Sequence, residues 1–75
     1  MKQAQRFTVI IQHEDDGFVA LCPEFDIASE GASIEEARNN LVEALTLLFE
    51  TASPSEIARR FHNEAFVTQV EVPVG

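Results

Sequence analysis

Ser33–Glu50, SIEEARNNLVEALTLLFE, is the stretch that decides the fold, because it alone carries a long helical period. At about 100° per residue, Ile34, Ala37, Ala44, Leu45 and Leu48 fall within roughly 60° of Leu41, with Val42 and Phe49 flanking them. That arc is the predicted core face. Glu35, Glu36, Asn39, Asn40, Glu43, Thr46 and Glu50 take the opposite, solvated side. Ser33 can accept from the backbone N–H three residues on while Glu36 reaches back, so S-I-E-E reads as a capping box and sets a sharp start. Leu47 breaks the pattern. It lies at roughly 240° on the same wheel, between Glu43 and Asn40, where an apolar residue belongs only if something covers it.

Upstream of the helix, Arg6–His13 (RFTVIIQH) is rich in aromatic and β-branched residues and alternates Phe7, Val9, Ile11 against Thr8, Ile10, Gln12, which predicts a strand. Phe18–Cys22 (FVALC) predicts a second. The intervening E-D-D-G suits a tight hairpin turn. Its length sets the faces: a three-residue loop puts Val19 and Leu21 with Phe7, Val9 and Ile11, whereas a two- or four-residue loop puts Phe18, Ala20 and Cys22 there. All three lengths remain open at this level. In every case both faces of the hairpin carry apolar groups and one helix can cover only one of them, so the other is a candidate interface. Pro23, with no amide to donate, ends the second strand; a loop follows, with a short strand predicted at Ile27–Glu30.

Downstream, T-A-S-P-S-E repeats helix-start chemistry, with Ser53 at the cap, Pro54 at the first helical position and Glu56 three residues after the cap. A short second helix to about Phe61 is expected, with Arg59 and Arg60 in its last turn, where positive charge complements the carbonyl end. Ala65–Val72 (AFVTQVEV) alternates Phe66, Thr68, Val70, Val72 against Val67, Gln69, Glu71 and predicts a final strand closed by Pro73. The element order is β-β-β-α-(short α)-β, an α+β domain. There are no repeats, linkers or low-complexity segments.

Seventy-five residues make one small domain over 1–75, expected to bury about 60% of the surface its unfolded chain exposes. Six Phe and a hydrophobic fraction of 45% describe a chain with a core. So small a core gains from a partner subunit, and a homo-oligomer, dimer or tetramer, is expected. Thirteen acidic residues against five basic ones give a formal charge of -8. That field repels phosphate backbones and would steer a basic protein toward the surface, so direct nucleic-acid binding is not expected. Cys22 is the only cysteine, which excludes an internal disulfide and a cysteine-rich zinc site and fits a reducing cytoplasm. The start, MKQAQRF, has no signal-peptide core and no run approaches a membrane span, so neither membrane insertion nor export is expected.

Catalytic and metal readings are weak. Glu14, Asp15 and Asp16 lack the alternating ligands and distal glutamate of a calcium loop and are better explained by the turn. His13 and His62 have no partner at metal-ligand spacing. Cys22 has no placed base and reads as a small buried hydrophobe. Adjacent Arg59 and Arg60 are too ordinary to specify an anion site. No enzyme activity, cofactor or metal is expected. The candidate partner or oligomer interface is Ile10, Asn40, Glu43, Leu47 and Val67: the outward part of the helix with one residue from the first predicted strand and one from the last.

F-T-V-I-I, then D-D-G-F-V-A-x-C-P-E-F, a glycine just before S-I-E-E-A, and N-L-x-E-A-L together resemble the HicB-like antitoxin family over about Phe7–Leu48. The resemblance implies a small antiparallel sheet with the long helix packed across it and a further strand, a partial ribonuclease-H-like or ferredoxin-like arrangement that oligomerises. It also implies a role: binding and masking a small basic RNA-cleaving toxin of the HicA kind. Two departures stand out. Where the family commonly has proline, glycine and cysteine after the P-E pair, this chain has Phe25, Asp26, Ile27 and Ala28. Family members usually continue into a C-terminal DNA-binding domain, whereas Ser53–Phe61 is too short to be one, so operator binding is not expected. A stand-alone homo-oligomer with an accessory or ligand-binding role is the alternative.

Overall fold

The computed structural model describes residues 4–75. Three strands, β1 (Ile10–Glu14), β2 (Gly17–Cys22) and β3 (Ile27–Gly31), precede α1 (Ile34–Thr51) and α2 (Pro54–Arg60). The sheet is antiparallel in the order β1-β2-β3, with α1 across one face. This is the expected α+β layout through its second helix.

The hairpin register pairs Glu14 with Gly17 and Ile11 with Ala20, so the loop is the two residues Asp15 and Asp16. Asp15 takes a left-handed φ of 49°, which aspartate tolerates better than most residues. The shortest of the open loop lengths therefore holds, and it turns Phe18, Ala20 and Cys22 under the helix. Pairing carries the same face into β3 through Ile27, Ser29 and Gly31. Ile10, Val19 and Leu21 point the other way.

The helix begins as its sequence predicts. Ser33 Oγ accepts from the Glu36 N–H at 3.0 Å, while Glu36 Oε1 accepts from the Ala32 N–H at 2.9 Å, one residue before the cap. Ala37, Leu41, Leu45 and Leu48 are buried and form the core with Ala20, Cys22 and Phe25. Ile34 shares their arc yet is 54% exposed. The reason is position: helix and sheet first meet a turn later, where Ala37 passes Gly31. A Cβ built on Gly31 would lie 2.9 Å from Ala37 Cα and closer still to its amide nitrogen, so only glycine lets the two backbones come this near. Asn40 then ties the helix to the same strand, donating to the Glu30 carbonyl at 2.8 Å. As a result α1 lies over β3 and β2 and barely touches β1.

Two strand expectations are corrected. β1 starts at Ile10 and not at Arg6, because in this register Thr8 would fall opposite Pro23, where the chain turns and there is no N–H to give. The Thr8 amide goes to the Glu24 carboxylate instead. The final strand expected at Ala65–Val72 is absent among the described residues. Its alternation is intact, but a strand needs a neighbour, and none lies beside it among the described residues. The second helix matches expectation, with Ser53 Oγ accepting from the Glu56 N–H and Phe61 as its C-terminal cap. No helix is long and apolar enough to cross a membrane among the described residues.

Gly31→Ala should force the helix off the sheet and cost about 1–3 kcal/mol, read as a lower urea midpoint with an unchanged slope; a midpoint equal to wild type would show that the approach at Ala37 is not the constraint.

Candidate protein interface

Two apolar surfaces remain after α1 has covered its share of the sheet. The first is the open face. Cross-strand pairing sets Ile10, Leu21 and Ala28 in one row and Gln12, Val19 and Glu30 in the next. Ile10, Val19 and Leu21 are half-buried, while Gln12, Ala28 and Glu30 are exposed. Glu14 follows on the same face at the hairpin end, beside Asp15 and Asp16. An apolar centre is thus bordered by carboxylates on one side.

The second lies on the flank that α1 leaves uncovered. A groove of about 790 Å³ runs between the segment before β1, from Gln5 through Phe7 to Val9, and the Val42–Glu50 side of α1. Val42 and Phe49, predicted to flank the core, are its helical wall, 48% and 41% exposed.

Between the groove and α2 the rings interlock. Phe25 contacts Phe7, Phe49 and Phe61 at centroid distances of 5.5, 5.4 and 5.6 Å, and Phe7 stacks on Phe49 at 5.6 Å. Aromatic pairs at such separations add to simple burial. They hold Phe7 in place although it lies outside β1.

A buried carboxylate anchors this corner. Glu24 is 6% exposed. Its Oε2 accepts from the Thr8 N–H at 2.9 Å, its Oε1 from the Cys22 thiol at 3.5 Å, and its carbonyl from the His62 N–H at 2.6 Å. One residue thereby fastens the segment before β1, the end of β2 and the exit from α2. Burial pushes the Glu24 carboxyl up, but hydrogen bonds from Thr8, its own amide and Cys22 outweigh that and hold it below the ordinary value. The Cys22 thiol is pushed up, chiefly by burial, and stays protonated and unreactive at neutral pH. Sequence reading passed over Glu24. The available signal was an acidic residue between Pro23 and Phe25 in an otherwise apolar run.

The five predicted interface residues do not converge. Leu47 is 54% exposed on the outer face of α1 with Glu43, as the wheel predicts. Asn40 lies on that face too, but its side chain is engaged with β3. Ile10 is on the open face of the sheet, on the far side of the two-layer body, and Val67 is on the segment after α2. His13 stacks on Phe18 at 4.7 Å, a cross-strand contact. Among the described residues no group of three or more His, Cys, Asp or Glu could hold a metal ion. Comparison with known proteins finds no matching family model, curated protein or solved structure.

Glu24→Gln should destabilise the fold by about 1–3 kcal/mol at pH 7, since the amide replaces an acceptor with a donor. Because the native carboxyl titrates below its ordinary 4.5, its contribution is present above that pH and lost as the pH falls through the lower folded value. Urea titrations should therefore show the gap between variant and wild type narrowing below about pH 4.5, and a gap constant down to pH 2 would contradict this assignment. Leu47→Glu, at an exposed helical position, should change stability by less than about 0.5 kcal/mol; unfolding would place Leu47 in the core.

Proposed function

We propose that this chain is a protein-binding domain that neutralises a small basic RNA-cleaving toxin, in the manner of a HicB-like antitoxin. The observation that carries the reading is the open face of the sheet: Ile10, Val19 and Leu21 at its centre, Glu14 and Glu30 at its border, on a chain of net charge -8. Apolar area of this kind is left facing water chiefly where a partner covers it. The carboxylates favour a partner whose apolar patch is bordered by lysine and arginine, and they steer its approach. The resemblance carried by D-G-F-V-A-x-C-P-E supplies the partner's class. Neutralisation then follows from occupancy: the toxin's RNA-binding surface is covered, and this chain contributes no chemistry of its own.

The test is titration against a small basic HicA-like ribonuclease. The expected result is a stoichiometric complex, loss of RNA cleavage and an association rate that falls steeply with salt. Leu21→Lys, on the open face, should weaken binding at least about tenfold while the far-UV spectrum is unchanged. Cleavage unaffected by excess wild-type chain would reject the proposal.

A further inference from the structure

After Ala65, whose carbonyl accepts from the Thr8 hydroxyl at 3.5 Å, the chain leaves the body. Phe66, Val70, Val72 and Val74 are 86%, 79%, 65% and 91% exposed, all at even positions of the sequence alternation. Among the described residues, none from 66 to 74 has a hydrogen bond, ion pair or ring contact with the rest of the chain. The molecule is accordingly elongated, with a long axis of 52 Å and a radius of gyration of 14.6 Å, where a compact chain of this length would have about 11 Å. Four large apolar side chains held in water on a strand-forming sequence are an unfinished contact.

The same chain carries the complement. β1 is an edge strand, so one side of its backbone has no sheet partner among the described residues. Beneath α1, where that edge continues toward the N-terminus before β1, lies the groove walled by Phe7, Val9, Val42, Leu45 and Phe49. At about 3.3 Å per residue, the segment 66–74 is as long as the run 5–13 that forms the edge and the groove floor. A strand laid along this edge would pair its backbone with β1 and place one alternate set of side chains in the groove. In the chain's own fold the segment departs at Thr8, the near end of that edge, without turning back along it.

We propose that residues 66–74 of one copy add as a fourth strand to the β1 edge of a second copy, and reciprocally, so that the chain is a strand-exchanged dimer. Each chain holds one donor segment and one acceptor edge in equal number, and a two-fold exchange satisfies both at once and closes. Any other partner would leave either segment or groove exposed. The exchange uses the edge and the helical side of the sheet, whereas the toxin reading uses the open face, so neither depends on the other.

Sedimentation of the full chain at about 50 µM, where a micromolar dimer is mostly associated, should give twice the 8.3 kDa chain mass. Val70→Glu with Val72→Glu, changed where the side chains are already in water, should sediment as a folded monomer with the wild-type helical signal. Val9→Lys, at the groove, should do the same from the acceptor side. In wild type the amides of 66–72 should be protected from hydrogen exchange, and in both variants exposed. A wild-type monomer, whether its segment is protected by its own β1 or not, overturns the proposal. So does a dimer that persists when Val70 and Val72 are both glutamate.

Discussion

The passage of Ala37 over Gly31 sets the position of everything else. Because Gly31 has no Cβ to obstruct the approach, α1 sinks onto β3 at its first full turn, and Asn40 fastens it there through the Glu30 carbonyl. A helix so placed reaches β2 with Leu41 and its buried neighbours but only grazes β1. The sheet is covered obliquely, and the flank left open is the groove between Phe7, Val9 and the Val42–Phe49 side of the helix. Had a bulkier residue stood at position 31, the helix would ride higher or shift along the sheet, and the groove would have a different shape.

Glu24 does at the other corner what the glycine does at this one. A carboxylate with almost no exposure is costly unless its oxygens are occupied, and here both are: one by an amide sixteen residues away in sequence, the other by a thiol two residues away. The carboxylate of Glu24 holds the segment before β1 and its backbone carbonyl holds the exit of α2, and the rings of Phe7, Phe25, Phe49 and Phe61 pack around the junction. The departure point of the C-terminal segment beside Thr8 follows from this tie. Among the described residues, the open sheet face, the groove and the outlying segment 66–74 are therefore consequences of where two small contacts hold the layers.

The elements whose signals are local were legible in the sequence. Both helices begin at serine caps that the residues themselves specify, the apolar arc of α1 named Ala37, Leu41, Leu45 and Leu48 as core, and Leu47 was placed outward. The strand alternation of Phe18–Cys22 and the short strand from Ile27 were readable for the same reason. Boundaries and faces that depend on a neighbour were not. The start of β1 turned on whether the partner strand had amides left to give, and Pro23 and Glu24 decided that it had not. The five predicted interface residues were chosen by pattern, and pattern carries no information on which side of a two-layer body each would stand.

By itself, then, the sequence determined the kind and order of the helices and of β2 and β3, the acidic character of the surface, and the presence of more apolar area than one helix can cover. Only the tertiary structure decided which hairpin face is core, since a single residue of loop length inverts it and the loop closed at Asp15 and Asp16. Only the tertiary structure showed that Ala65–Val72, with a strand's alternation, has no strand beside it among the described residues. Helical hydrogen bonds close within a segment and can be read there; a sheet's bonds close between segments, and where the second segment lies is a property of the fold.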